Sequence, residues 1–139
     1  MNVISDSVSL STNGFCDMRD LTDAVSRKLS DSGLKNGTVT LFVPGSTGGL
    51  TTIEYESGLE EDFSEFMEKT VPSRKPYHHD ARWGDGNGFS HVRASLLGPS
   101  LTVPFSDGRL SLGTWQQIVF IDFDNRSRSR NIVLQFMGV

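Results

Sequence analysis

The sequence has little of several features that mark specialised classes of protein. It contains one cysteine among 139 residues, so Cys16 has no partner for an internal disulfide or a CxxC motif and is predicted to be a reduced thiol. The formal net charge of −4 argues against a general nucleic-acid-binding protein, which usually carries a basic excess. No apolar run approaches the roughly 20 residues that cross a bilayer, and the N-terminus lacks the pattern of a signal peptide. These absences predict a cytoplasmic protein without a nucleic-acid or membrane partner.

The length and composition suit one globular domain that occupies residues 1–139. Hydrophobic residues make up 36% of the chain and charged residues 22%, which is ordinary for a globular protein. A chain of this length buries roughly two-thirds of the surface that its unfolded form exposes. No repeat, low-complexity tract or linker divides it, so the sequence predicts a single core.

Hydrophobic periodicity predicts two main helices and six strands. One helix follows a capping residue, Asp20, and ends at Gly33, and the other runs from about Gly58 to Thr70. A third, short helix is predicted in HVRASLLG, and Asp107-Gly108 marks a tight turn. Because the strands follow one another through short turns, the pattern favours an α+β fold around a mixed, largely antiparallel sheet. The strands are predicted in the segments NVISDSVSL, TVTLFVP, LTTIEYE, SLTVPF, QQIVFIDF and NIVLQFM.

All three histidines lie in one stretch, YHHDARWGDGNGFSHVRASLLGPS, which is rich in glycine and charge. Neutral imidazoles bind zinc and related metals, and carboxylates often complete the coordination shell. The spacing of His79 and His91 matches neither the HExxH motif nor a zinc finger. The residue types therefore leave two alternatives, a metal or ligand site, or a glycine-rich loop whose histidines bind backbone carbonyls.

Two glycine-rich segments are candidates for anion binding. In WGDGNG, the glycines around Asp85 and Asn87 permit a concave nest of backbone N–H groups, although a plain multiple-turn loop explains the pattern equally well. In PGSTGG, the hydroxyls of Ser46 and Thr47 could donate to a phosphate, but the lysine of a P-loop is missing. Glu54 follows in a β-like stretch, where a carboxylate is paired, binds a metal, or faces water.

The segment DNRSRSR carries three arginines at alternate positions. They could line one face of a strand or lie in a solvated turn, and the sequence favours the turn. Three arginines in an acidic chain do not indicate RNA binding.

The second half of the chain resembles the YjbQ-like family, often described as secondary thiamine-phosphate synthases. The resemblance rests on His91-Val92-Arg93, LLGPSLTVP, DGRLSLGTWQ and the arginine-containing turn before the last strand. Upstream, FVPGSTGGLTTIEYE and YHHD occur in the same order, so that the resemblance extends from about Ser9 to Gly138. It implies a compact α+β fold, a homotrimer, and a polar site near subunit boundaries for metal ions or phosphate-like anions.

The resemblance also implies an activity and a set of site residues. The reaction joins a pyrimidine-methyl diphosphate to a thiazole phosphate and releases pyrophosphate, whose departure a divalent ion such as magnesium or zinc would assist. A non-catalytic trimer that binds a metal ion or a small anionic metabolite fits the sequence as well. The predicted catalytic residues are His79, His91 and Asp85, the metal ligands are these three and Glu54, and the phosphate ligands are Ser46, Thr47 and Arg93.

Two positions depart from the family pattern. Gly45 stands where many members carry histidine, and Phe89 stands where some members carry another. We nevertheless expect His79 and His91 to converge, with Asp85 or Glu54 nearby, because glycines between them let the chain fold back. Trp115, in the GTWQ segment, is expected either to be structural or to support the site residues without contacting the ligand, most simply by packing at the entrance to a strand.

Overall fold

Two β-sheets form the framework of the structure, a computed structural model that describes residues 1–139. The strands are β1 (Asn2–Thr12), β2 (Asp17–Asp20), β3 (Gly37–Phe42), β4 (Gly48–Ile53), β5 (Ser100–Ser106), β6 (Arg109–Leu110), β7 (Gln117–Asp122) and β8 (Arg128–Gly138). The larger sheet has the order β1-β8-β3-β5-β6, and the smaller has the order β2-β7-β4.

Four helices accompany the sheets: α1 (Thr22–Ser32), α2 (Ser57–Thr70), α3 (His78–Trp83) and α4 (Gly88–Leu97). Asp20 accepts a hydrogen bond from the Thr22 N–H at the start of α1, and Gly33 ends that helix in the left-handed conformation. At the start of α2, the Glu56 carboxylate accepts from backbone N–H groups of the first turn. These local signals are those that allow helix ends to be placed from sequence.

The predicted α+β class is confirmed, as are the six predicted strands and both main helices. The sheet is not mixed, however, because every strand pair is antiparallel. Only β5 and β6 are joined by a hairpin, at Asp107-Gly108, where two positive φ angles turn the chain; the other pairs join strands that are distant in the sequence. Two short strands, β2 and β6, and the short helix α3 were not predicted.

The smaller sheet is buried on both faces, because it packs against a separate hydrophobic core on each side. Ile118 and Phe120 of β7 face the main core against the larger sheet and α1, whereas Val119 and Ile121 face a second core. This explains why β7 is an almost continuous apolar run. The second core packs β7 against Met18 of β2, Met67 and Phe63 of α2, and Ala94 and Leu97 of α4.

Candidate functional site

A polar cleft opens where the loop before β4, the helices α3 and α4, and the start of β8 meet. Its volume is about 540 Å³, within the range of small-molecule sites. Ten residues line it: Gly45, Ser46, Thr47, His79, Trp83, Asp85, Asn87, His91, Arg128 and Arg130.

The two helices α3 and α4 bring His79 and His91 together. Their ring centroids lie 4.3 Å apart, so the two imidazoles converge as expected. The connection reverses the chain through Gly84 and Gly86, whose φ angles of 74° and 69° are left-handed. Gly88, at the start of α4, lies so close to α3 that a Cβ there would come within 2.6 Å of the Tyr77 Cβ. Glycine at this position therefore allows the two helices to start side by side.

The Nδ1 atom of His79 is buried and has no hydrogen-bond partner. It lies 3.4 Å from an oxygen of Asp85 and 3.6 Å from an oxygen of Asp80. Ligand atoms bound to tetrahedral zinc at about 2.0–2.1 Å are separated by about 3.3 Å, so these spacings fit the edges of such a shell. Asp80 was not predicted as a ligand, although it follows His79 directly in the sequence.

His91 is kept in the form that binds metals. Burial lowers its pKa below the ordinary value of 6.5, and the neighbouring His79 acts in the same direction. Because only the neutral imidazole has a free nitrogen lone pair, the lowered pKa favours metal coordination over protonation.

The opposite wall of the cleft is formed by two arginines on β8. Arg128 and Arg130 occupy alternate positions and so project from the same face of the strand. Each is paired with a carboxylate that is 0% exposed, Arg130 with Asp122 at 2.7 and 2.9 Å and Arg128 with Asp124 at 2.7 Å. The preferred prediction, a solvated turn, was therefore wrong for these two arginines, and the strand-face alternative is correct.

Asp124 is held ionised by its surroundings. Burial raises its pKa, but hydrogen bonds from the Asn125 N–H, the Asn87 amide and Arg128 outweigh that effect and hold the pKa below its ordinary value. Charge-assisted bonds of this kind stabilise a carboxylate that would otherwise be costly to bury.

The two predicted hydroxyl ligands both line the cleft but differ in availability. Ser46 is exposed, and its hydroxyl forms no hydrogen bond within the chain. Thr47 is 5% exposed; its hydroxyl donates to Asp124 at 3.1 Å and accepts from Arg130 at 2.7 Å. Because its proton is already donated, Thr47 orients Arg130 instead of presenting a donor to a ligand.

Two predicted ligands do not reach the cleft, which corrects their assignment. Arg93 is 2% exposed and donates to the Val71 carbonyl and the Glu68 carboxylate. It lies two residues after His91 on α4, and a rotation of about 200° points the two side chains in opposite directions. Glu54 is exposed beyond the far end of β4, about 20 Å along the strand from the loop that borders the cleft.

Aromatic residues also differ from expectation. Trp115 is 73% exposed, so the prediction that it packs at a strand entrance is wrong for the single chain. Trp83, at the end of α3, was not predicted, yet it lines the cleft and is 65% exposed. Phe89 is buried and stacks on Phe15, with ring centroids 6.0 Å apart, so its side chain packs inside the protein, away from the cleft.

None of the four helices combines the length and the hydropathy that a membrane-spanning helix needs.

The fold and the cleft define an α+β protein of antiparallel sheets whose polar cleft combines two imidazoles, carboxylates and two arginines. The sequence model of the family described as "UPF0047 protein YjbQ-like" matches residues 6–139, and the chain belongs to this family.

Similar proteins span almost the same length. A UPF0047 protein of Archaeoglobus fulgidus is 41% identical over 128 residues, which cover 92% of this chain and 97% of the relative. One of Methanothermobacter thermautotrophicus is 39% identical, covering 99% and 94%. The crystal structure of a YbjQ-like protein of unknown function from Sulfolobus solfataricus has a TM-score of 0.93 at 30% identity and covers 99% of both chains.

Proposed function

We propose that the cleft binds one divalent metal ion through His79, His91 and Asp85, and a small phosphorylated metabolite beside it. One observation carries this proposal. Two buried side-chain atoms have no hydrogen-bond partner, His79 Nδ1 and Asn87 Oδ1. Both belong to residues that line the cleft. Buried polar atoms are rarely left unpaired, so their concentration at one place favours a bound ligand that supplies the partners.

The ligand set favours zinc over magnesium. Magnesium prefers oxygen ligands in an octahedral arrangement, whereas imidazole nitrogens with a carboxylate suit zinc. One ligand atom each from His79, Asp80 and Asp85 lies within 4.8 Å of the others. His91 adjoins this group through the contact of its ring with that of His79. Asp80 also accepts a hydrogen bond from the Gly88 N–H at 2.8 Å, which fixes its carboxylate. A zinc ion held there would polarise a phosphoryl oxygen of the ligand.

We further propose that the cleft catalyses the formation of thiamine phosphate. The reaction needs stabilisation of a departing pyrophosphate, and the proposed metal ion together with the guanidinium groups of the cleft would supply it. Arg128 and Arg130 take the place of Arg93 in this role, because Arg93 is buried elsewhere. The alternative is a binding protein that captures the same kind of ligand without turnover.

Steady-state product formation from the two thiamine precursors, with zinc present, separates these two functions. Turnover that disappears in both His91→Ala and Asp85→Asn supports the enzyme. Tight binding of a precursor without turnover supports the binding protein and would contradict catalysis.

A homotrimer is also proposed, and the outer face of the larger sheet supports it. Val3 pairs with Met137, and Phe42 pairs with Val133, on a face where all four side chains are exposed in the single chain. Such apolar residues on an open sheet favour contact with another chain. Native mass spectrometry of protein purified without chelator is expected to show three chains with bound zinc, and a metal-free monomer would contradict both expectations.

Zinc affinity is expected to fall on acidification. Protons compete with the metal for imidazole nitrogens, and since the pKa of His91 lies below 6.5, the loss through His91 should set in below that pH. Calorimetric zinc titrations between about pH 5 and pH 8 measure this. A site that binds only anions would behave oppositely, because protonated histidines attract anions, and an affinity that rises as the pH falls would therefore contradict a metal site.

A further inference from the structure

We infer that the phosphate group of the ligand lies over Gly45, where it is bound by the outward-facing nitrogen of Arg130, by Arg128 and by the Ser46 hydroxyl. This inference rests on the proposed function, because it assigns the position of the phosphorylated ligand in the same cleft. It places the anion on the wall opposite the imidazoles.

The hydrogen bonds of Arg130 leave one edge of its guanidinium free. Its Nε and Nη2 atoms donate to the two oxygens of Asp122, and Nη2 also donates to the Thr47 hydroxyl. The Nη1 atom forms no hydrogen bond and is not buried. Arg128 is held similarly, because its Nε and Nη2 atoms both contact Asp124 and its Nη1 atom is unbonded. In each arginine, the Nε and Nη2 atoms are therefore held by a carboxylate, and the Nη1 atom remains available to a ligand.

This wall binds through oriented donors more than through net charge. Two buried carboxylates already face the two guanidinium groups, so the cluster carries little excess positive charge. The same contacts prevent the arginines from moving, and preorganised donors lose little conformational entropy on binding. Guanidinium groups match the oxygens of a phosphate in spacing and direction, which favours a phosphate group over a simple halide.

Gly45 keeps the free edge of Arg130 accessible. A Cβ atom at residue 45 would lie 3.3 Å from the Arg130 Nη1 and 3.8 Å from Val43. A longer side chain at residue 45 would therefore contact the Arg130 Nη1 atom and block its access to the anion. The φ angle of Gly45 is not left-handed, so the backbone does not itself require glycine here. The missing side chain thus leaves a space beside Arg130, and that space is lined by the exposed Ser46.

The test uses inorganic phosphate as the probe and the Gly45→Leu variant of the full chain. Blocking the free Nη1 atom of Arg130 should weaken phosphate binding to metal-free protein by at least about tenfold, because a hydrogen bond to a charged group is lost. Gly113→Leu is the matched control, because Gly113 also lacks a left-handed φ, its Cβ would make only ordinary contacts, and it lies outside the cleft. That control is expected to bind phosphate as the parent does.

A second variant and a second titration make the outcome decisive. Arg130→Lys keeps the charge beside Asp122 but removes the Nη1 donor, and it should weaken phosphate binding even if Gly45→Leu folds poorly. Zinc titration is expected to give the same affinity in the parent and in Gly45→Leu. Failure of the parent to bind zinc overturns the proposed metal site alone. Phosphate binding that is unchanged in both variants, or acetate binding as tight as phosphate binding, overturns the inference.

Discussion

Replacement of His79 by alanine is expected to lower zinc affinity by more than about 100-fold. Loss of residues that only support a metal ligand costs about 10–100-fold in metal affinity, and His79 is itself a proposed ligand of the metal. Its Nδ1 atom is within 3.6 Å of both carboxylates, and its ring contacts His91. Competition with a chromogenic zinc chelator measures the affinity over this range.

His78→Ala is the matched control for this change. His78 is the adjacent residue in the same helix, but it is exposed and does not line the cleft. Its replacement removes the same side chain from the same segment and should leave zinc affinity within about twofold, a difference of less than 0.5 kcal/mol. Equal losses in the two variants would show that zinc binds to the histidine-rich segment without the proposed geometry.

Replacement of Asp122 by alanine is expected to reduce the free energy of unfolding by about 3–5 kcal/mol, the cost of breaking a buried ion pair by removing one partner. The Asp122 side chain is 0% exposed and accepts hydrogen bonds from Arg130 and from the Thr12 hydroxyl. The variant leaves the guanidinium of Arg130, whose side chain is 12% exposed, without its carboxylate. Urea unfolding followed by circular dichroism measures the loss.

Asp6→Ala provides the comparison for an exposed pair. Asp6 contacts Lys28 at 2.9 Å, and both side chains are 36% exposed. Exposed pairs are screened by water and contribute little to stability, so the unfolding midpoint of this variant should stay close to that of the parent. If the unfolding midpoint of Asp122→Ala also stayed close to that of the parent, the buried pair would not stabilise the wall of the cleft.

The regular elements were predictable because their signals are local. The alternation of residues in β1 and the presence of Gly33 at the end of α1 each determine the conformation of residues close by in the chain. The strand β2 was missed because its four residues, DMRD, are mostly polar, and its pairing with β7 depends on residues about 100 positions away. Fully antiparallel pairing likewise results from how distant strands meet.

The candidate site was predictable only in part. Glycines around Asp85 indicated that the chain could bring His79 and His91 together, and the structure places them in contact. The arginine wall was missed because Asp122 and Asp124 stand at the end of an apolar strand, and nothing local shows that they pair with arginines.

Two side chains were misplaced because resemblance gives the residue type at a position but not its direction. Arg93 projects from the side of α4 opposite His91, and Glu54 lies beyond the far end of β4. Their distances from the cleft follow from helix rotation and strand length, both of which require element boundaries that sequence gives only approximately.

X-ray absorption at the zinc edge of zinc-loaded protein tests the metal site most directly. We expect one zinc per chain, bound by nitrogen and oxygen at about 2.0–2.1 Å, with an imidazole signal that is lost in His79→Ala. Cys16 is the one thiol in the chain, and burial raises its pKa to about 11, so no sulfur should be bound. A sulfur shell at about 2.3 Å, or an imidazole signal unchanged in His79→Ala, would contradict the proposed site.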